Sequence, residues 1–187
     1  MRESESLVRP AVVRVIRSRS QAGTLASPEE IRDVLNQEGL LRPENENRSW
    51  ADNLQELVGE ESDIKKIEDR AGKSYYYSAQ HLEDAYALIL VQRNDDVLGL
   101  MAETVRENSR IYPRPVPLHL FADPPFSMSP AEIDACRKKI SELPEYADIA
   151  DTTTSAGTTF LYSTRHMQPY HAEYLAEWLD VGQSENP

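Results

Sequence analysis

Cysteine is almost missing from this chain: Cys136 stands alone, so no intrachain disulfide can form, which fits a reducing compartment. No apolar run approaches the roughly 20 residues needed to span a bilayer. The opening MRESESLVRP lacks the long apolar segment of a signal peptide. Positive charge is also scarce. Lys plus Arg number 20 against 32 Asp plus Glu, a formal net charge of −12. That balance disfavours a basic nucleic-acid binder overall while leaving room for a local basic patch. What the chain does have is 187 residues, 40% of them hydrophobic. This is enough for a packed core, in one domain or two small ones, and too much for a disordered chain. An acidic, soluble, cytoplasmic globular protein is expected.

Internal self-similarity appears at an offset of 85 residues. Identical pairs are Asp63/Asp148, Ile64/Ile149, Ala71/Ala156, Gly72/Gly157, Tyr77/Tyr162, Ser78/Ser163 and His81/His166. About a third of the positions agree in this stretch, where unrelated segments would share roughly one in sixteen. The match runs on to Ala87/Ala172 and Leu90/Leu175, and back to Leu35/Leu120 and the apolar stripes beginning at Val12 and Val97. An internal duplication follows, with repeat one in residues 1–93, repeat two in 94–180 and a frayed tail in 181–187.

Repeat one opens with Val8, Ala11, Val12, Val15 and Ile16 at the spacing of one helix face. Ser27-Pro28-Glu29-Glu30 carries an N-cap oxygen, a proline at the first helical position and a capping-box Glu, and begins a second helix with Ile31, Val34 and Leu35. A loop with Pro43 leads to a third helix near Ser49, bearing Trp50, Leu54, Leu57 and Val58. Residues 63–78 read as two strands around the Gly72 turn, followed by a fourth helix that could run on past Asn94. Repeat two follows the same plan. Its first helix carries Val97, Leu98, Met101 and Val105 after the candidate caps Asp95 and Asp96. Then come a proline-stiffened link over 111–117, a short helix stopped by Pro124-Pro125, a helix capped by Ser129 and Glu132, and a hairpin turning at Gly157. Three helices followed by a hairpin is the order of a winged helix. Residues 24–78 resemble that fold, and each repeat resembles it over most of its length. The expected fold is α+β and helix-rich: two tandem winged-helix repeats, each of three helices, a β-hairpin wing and a following helix. Tandem pairs of this kind occur in chromosome-organising accessory proteins, transcription-initiation subunits and membrane-remodelling complexes, and fold alone does not transfer function among them.

A recognition helix needs Lys or Arg against phosphates. The third helix of repeat one, over 46–60, offers Arg48 against Glu46, Asp52, Glu56 and Glu60. Arg137, Lys138 and Lys139 in repeat two are consecutive, so they splay around a helix and form no stripe. Repeat one carries 13 basic and 17 acidic residues, repeat two with its tail 7 and 15. DNA or RNA contact therefore belongs to repeat one, through the wing residues Lys65, Lys66, Arg70 and Lys73 with Arg14 and Arg17 of the first helix. The last helix shows Met167, Tyr170, His171, Tyr174, Leu175, Trp178 and Leu179 at helical spacing. Its whole stripe is expected to be covered by protein, with Tyr170, Tyr174 and Trp178 as interface residues and Trp178→Ala sharply destabilising.

No catalytic constellation emerges. His166 and His171 are five apart and do not share a metal-facing side of a helix. His81 and His166 suit a packing or capping role, and Cys136 on an apolar stripe suits a small buried hydrophobe. The hydroxyl-rich TTTSAGTT lacks the Lys and strand-to-helix glycine loop of a phosphate cradle and reads as an edge strand and turn. Tyr75, Tyr76 and Tyr77 align with Phe160, Leu161 and Tyr162, which favours packing over base stacking. The sequence points to a non-catalytic protein with no metal, cofactor, membrane or small-molecule substrate. It would work through protein partners or self-association in a DNA- or RNA-handling or regulatory assembly. The alternative is a DNA-binding transcriptional regulator using the wing and first helix of repeat one.

Overall fold

The computed structural model describes residues 2–41 and 50–182. The chain divides into two compact units, Met1–Asp95 and Asp96–Pro187. The fold is α+β and helix-rich, with one small antiparallel sheet in each unit.

The first unit begins with α1 (Arg2–Gln21), which carries the expected apolar face, and α2 (Pro28–Gln37). At the start of α2 the Ser27 side chain accepts from the Glu30 N–H while the Glu30 carboxylate accepts from the Ser27 N–H. Two N–H groups that a helix leaves unsatisfied are thereby bonded. The third helix, α3, spans Trp50–Val58; the Pro43 loop and Glu46, Arg48 and Ser49 lie outside the described residues. Strands β1 (Ile64–Glu68) and β2 (Ser74–Ser78) pair antiparallel, and Ala26 bridges to Tyr76 on the other side of β2. Helix α4 (Asp84–Asp95) follows.

Adjacent strand residues point to opposite faces, and this divides the core. Tyr76 packs among Val12, Ile16, Ile31, Leu35 and Leu54 of the first three helices. Tyr77 points the other way, to Leu82 and Ala87. The tyrosine run is thus core on both faces.

The second unit does not continue from α4. Asp96 interrupts the helix and caps α5 (Val97–Ile111), its side chain accepting from the Gly99 N–H at 2.8 Å. Of the two candidate caps Asp96 is the one used, and the helix does not run on past it, because its φ of −156 and ψ of 85 lie outside helical geometry. A two-residue strand β3 (Val116–Pro117) leads into a 3₁₀ helix (Leu118–Ala122), where a short second helix was expected, and then into α6 (Pro130–Glu142) with its own capping box at Ser129 and Glu132. Ser129→Ala should lower stability by about 1 kcal/mol. In a urea titration the midpoint should fall with an unchanged m-value, and an unchanged midpoint would contradict the cap's contribution.

Strands β4 (Ile149–Thr153) and β5 (Thr159–Ser163) form the hairpin, in a sheet ordered β3-β5-β4. The turns of both hairpins match: Gly72 has φ +81 and Gly157 φ +88, and each donates its N–H to the residue three back, Asp69 or Thr154. A side chain there would be strained in this left-handed conformation. Phe160 and Leu161 are buried on opposite faces of β5, and Tyr162 packs with Ala150, Met167, Ala172 and Leu175. The last helix, α7 (Pro169–Glu177), ends in a π-helical turn (Trp178–Gly182), which takes in Val181 and Gly182. Tail residues 183–187 lie outside the described residues.

Candidate protein-binding face and the clusters that position it

Each hairpin is tied to the first helix of its unit by the same set of groups. In the first unit the Arg17 guanidinium grips Asp63 with two bonds, Nε at 3.0 Å and Nη2 at 2.6 Å. The Ser78 hydroxyl donates to the same carboxylate at 2.6 Å, and the Ser78 N–H donates to the Ser20 hydroxyl at 2.8 Å. In the second unit Arg106 grips Asp148 at 3.0 and 2.6 Å, the Ser163 hydroxyl donates to it at 2.8 Å, and the Ser163 N–H donates to the Ser109 hydroxyl at 2.9 Å. The arginine beside each aspartate, helped by the serine hydroxyl, lowers both carboxyls to about 2 against the opposing effect of burial. Neither aspartate is placed as a proton acceptor for chemistry, since its oxygens are taken up by these donors. The clusters hold the sheet against the helix.

These clusters correct the sequence alignment in one place. Asp63/Asp148 and Ser78/Ser163 keep the 85-residue spacing, but Arg17/Arg106 and Ser20/Ser109 lie four positions further apart. Val12 therefore stands opposite Met101, not Val97. The shift is about one helical turn, which preserves the buried face and so hides from an apolar-pattern comparison.

The sequence-predicted nucleic-acid residues fall in two places. Arg14 and Arg17 line a groove of about 520 Å³ on α1 with Arg9, Pro10, Val13 and Glu61. Arg14 pairs with Glu38 at 2.6 Å, Arg17 with Asp63 and Glu61, and Arg9 with Glu60. On the first hairpin, Lys65 pairs with Asp84 at 2.7 Å, Lys66 with Glu68 at 2.6 Å and Lys73 with Glu29 at 3.7 Å. The Arg70 N–H donates to Asp95. Acidic neighbours accompany nearly every cation of this set.

The residues expected at an interface lie on α7 and the π turn. Tyr170, Tyr174 and Trp178 recur every fourth position and are 80%, 59% and 48% exposed. Within the single chain the stripe is covered only in part: Ala172 and Ala176 are buried and Leu175 is packed on Tyr162, whereas the three large rings stand on the outer side. Small residues let the helix lie close to the sheet, so the bulky ones are turned outward. Between this helix and β4 runs a groove of about 470 Å³, lined by Thr152, Thr153, Thr154, Tyr170, Glu173, Tyr174, Ala176 and Glu177. The hairpin turn is fastened to its far end. Glu177 accepts from the Ser155 N–H at 2.9 Å and from its hydroxyl, and these bonds lower the Glu177 carboxyl. Asp180 accepts from the Thr154 hydroxyl. Sequence reasoning missed this clamp, although the carboxylates at Glu177 and Asp180 opposite a hydroxyl-rich turn were its visible signal.

Residues 94–184, nearly all of the second unit, match the family model described as "YdhW C-terminal domain". The chain is also similar to the Escherichia coli (strain K12) protein named "Uncharacterized protein YdhW", with 32% identity over 137 residues. That alignment takes in 72% of this chain and 64% of the relative, so the chain spans somewhat less than two thirds of this relative's length. No solved structure matches. The YdhW C-terminal match contains every residue of the aromatic groove and of the Arg106–Asp148–Ser163 cluster.

Other candidates resolve into local roles. Cys136 is buried, and burial pushes its thiol up, away from the reactive thiolate. The His81 and His166 N–H groups donate to the carbonyls of Ser78 and Ser163 in matching turns. Among the described residues no group of three His, Cys, Asp or Glu could hold a metal. No helix among them is long and apolar enough to cross a membrane.

Proposed function

We propose that this chain is a non-catalytic tandem winged-helix protein, its two units related by duplication, that works through protein contacts in a DNA- or RNA-handling or regulatory assembly. Support for the fold comes from the helix–hairpin–helix order in both units, the matching glycine turns and the repeated Arg–Asp–Ser clusters. The observation that carries the function is the exposed row Tyr170, Tyr174 and Trp178 beside an acidic groove. Large aromatics are costly to leave in water and are enriched at protein interfaces.

The rival regulator would use Lys65, Lys66, Arg70, Lys73, Arg14 and Arg17. Releasing these cations from their carboxylate partners costs part of what phosphate contact would return, and the carboxylates would then face the duplex. The test compares both surfaces in the full chain. A fluorescent DNA duplex should show no saturable binding at physiological salt, and a co-purifying protein should be lost from the Tyr170/Tyr174/Trp178→Ala variant while its thermal unfolding stays near that of the parent. Tight duplex binding would overturn the reading in favour of the regulator. In that case Lys65/Lys66/Arg70/Lys73→Ala would flatten the log–log salt slope by about 0.9 per contact removed.

A further inference from the structure

The groove on the second unit has an open backbone edge as its floor. Strand β4 ends the sheet order β3-β5-β4, and among the described residues no strand pairs with its outer side. The parity of its hydrogen bonds is set by Thr154–Thr158 at one end and Asp148–Thr164 at the other. In an antiparallel ladder alternate residues bond the neighbour. The N–H and C=O groups of Asp151 and Thr153 therefore point outward, and both residues are exposed. Helix α7 does not block this edge, because it packs on the sheet face formed by Ala150 and Tyr162.

The walls carry a single sign of charge. From residue 149 to residue 182 the only Lys or Arg is Arg165, against Asp151, Glu173, Glu177 and Asp180. The Asp151 side chain is outside the lining and pairs with Arg137 of α6 at 2.7 Å, so the groove's own charge comes from Glu173 and Glu177. Arg165 is held at Asp148, outside the groove lining. Glu173 and Glu177 line the groove together with the rings of Tyr170 and Tyr174. Carboxylates beside tyrosine faces suit an ammonium or guanidinium on an aliphatic stem, which gains charge pairing and ring contact together.

We infer that this groove binds an extended, lysine- or arginine-bearing segment of a partner protein, added as a further strand along β4 with its basic side chains over Tyr170 and Tyr174 and toward Glu173. The inference rests on the protein-contact reading above and names the occupant of that face. Main-chain pairing supplies affinity in this mode, and alternate side chains supply specificity.

The probe is a short fluorescein-labelled peptide alternating valine with lysine, compared with the same peptide carrying glutamate for lysine, each titrated into the full chain. The lysine peptide should bind, weakening with salt, and the Asp151 and Thr153 amide signals should shift first. The glutamate peptide should not bind. Glu173→Lys should weaken binding by about tenfold or more, and Thr153→Pro should abolish it by removing an outward N–H. Because Thr153→Pro could disturb the hairpin, Tyr174→Ala at an exposed position serves as the second variant, with circular dichroism on both. Failure of the lysine peptide to bind, equal binding of the two peptides, or binding indifferent to Glu173→Lys and Tyr174→Ala would overturn the inference. So would a dimer of the chain that Thr153→Pro dissociates, which would make a second copy the occupant. A chain that refuses the peptide but still loses its protein partner in the Tyr170/Tyr174/Trp178→Ala variant refutes the occupant alone. Tight duplex binding refutes the underlying reading.

Discussion

Asp148→Asn should cost about 3 kcal/mol of folding stability, with most of the loss arising from Arg106. The Arg106 side chain is 16% exposed and Asp148 6% exposed, so removing the carboxylate charge leaves a largely desolvated guanidinium without its two-bond partner, held by the more exposed Glu103 and the Glu145 carbonyl. The Ser163 hydroxyl loses a charged acceptor in the same step. Asp63→Asn should cost less. Each arginine keeps a second carboxylate, Glu61 at 3.0 Å or Glu103 at 2.8 Å, but the Arg17 side chain is 37% exposed and so loses less when its aspartate is neutralised. The same pairs make an acid signature. Both aspartates are lowered from 3.8 to about 2, so their contribution is fully present above pH 4 and lost as pH falls toward 2. Urea titrations from pH 7 down to pH 2 should show the parent chain losing stability in that window and Asp148→Asn losing less of it. Equal costs for the two substitutions, or parallel pH curves, would show that the buried pair does not act as described.

Leu161→Ala should cost about 2–5 kcal/mol, whereas Trp178→Ala should cost less than about 1 kcal/mol. Leu161 is buried in the centre strand of its sheet, where truncation leaves a cavity that β3 and β4 cannot collapse to fill. Trp178 is roughly half exposed at the start of the π turn, so truncating it returns little area to water. This differs from the expectation drawn from the helical pattern, in which Trp178→Ala is sharply destabilising. Thermal unfolding of the two variants side by side decides the matter. A large destabilisation by Trp178→Ala in the monomer would mean that the ring is covered in solution. A fall in mass by light scattering with an unchanged transition would place it at an interface between copies.

Where the sequence was informative, the signal was local. Ser27-Pro-Glu-Glu and Ser129-Pro-Ala-Glu announce helix starts because the capping groups lie within one turn of each other. Gly72 and Gly157 announce hairpins because a positive φ excludes most other residues. Three adjacent aromatic or aliphatic residues at 75–77 and 160–162 announce a strand buried on both faces.

Two features stayed hidden for want of the third dimension. The four-residue shift between the first helices of the units was invisible because a move of one turn leaves the apolar stripe nearly unchanged, and only the Arg17–Asp63 and Arg106–Asp148 bonds reveal the register. Which part of the α7 stripe meets the sheet was hidden because Ala172 and Ala176 look weakly apolar beside Tyr174 and Trp178, yet small side chains decide how closely a helix approaches a sheet.

The candidate site divides along the same line. Composition and spacing alone determined an acidic, α+β, helix-rich chain with an internal echo, a shortage of cations and a last helix rich in aromatics. Which cations were already paired, which face of α7 met the sheet, and that β4 kept an open edge with Asp151 and Thr153 directed outward were decided only by tertiary structure. Those properties depend on residues 15 to 58 positions apart in the chain meeting in space, as Ser78 meets Asp63 and Ser20, or Lys65 meets Asp84. No pattern within one helix or strand encodes such a meeting; it follows from how the packed faces pin the elements together.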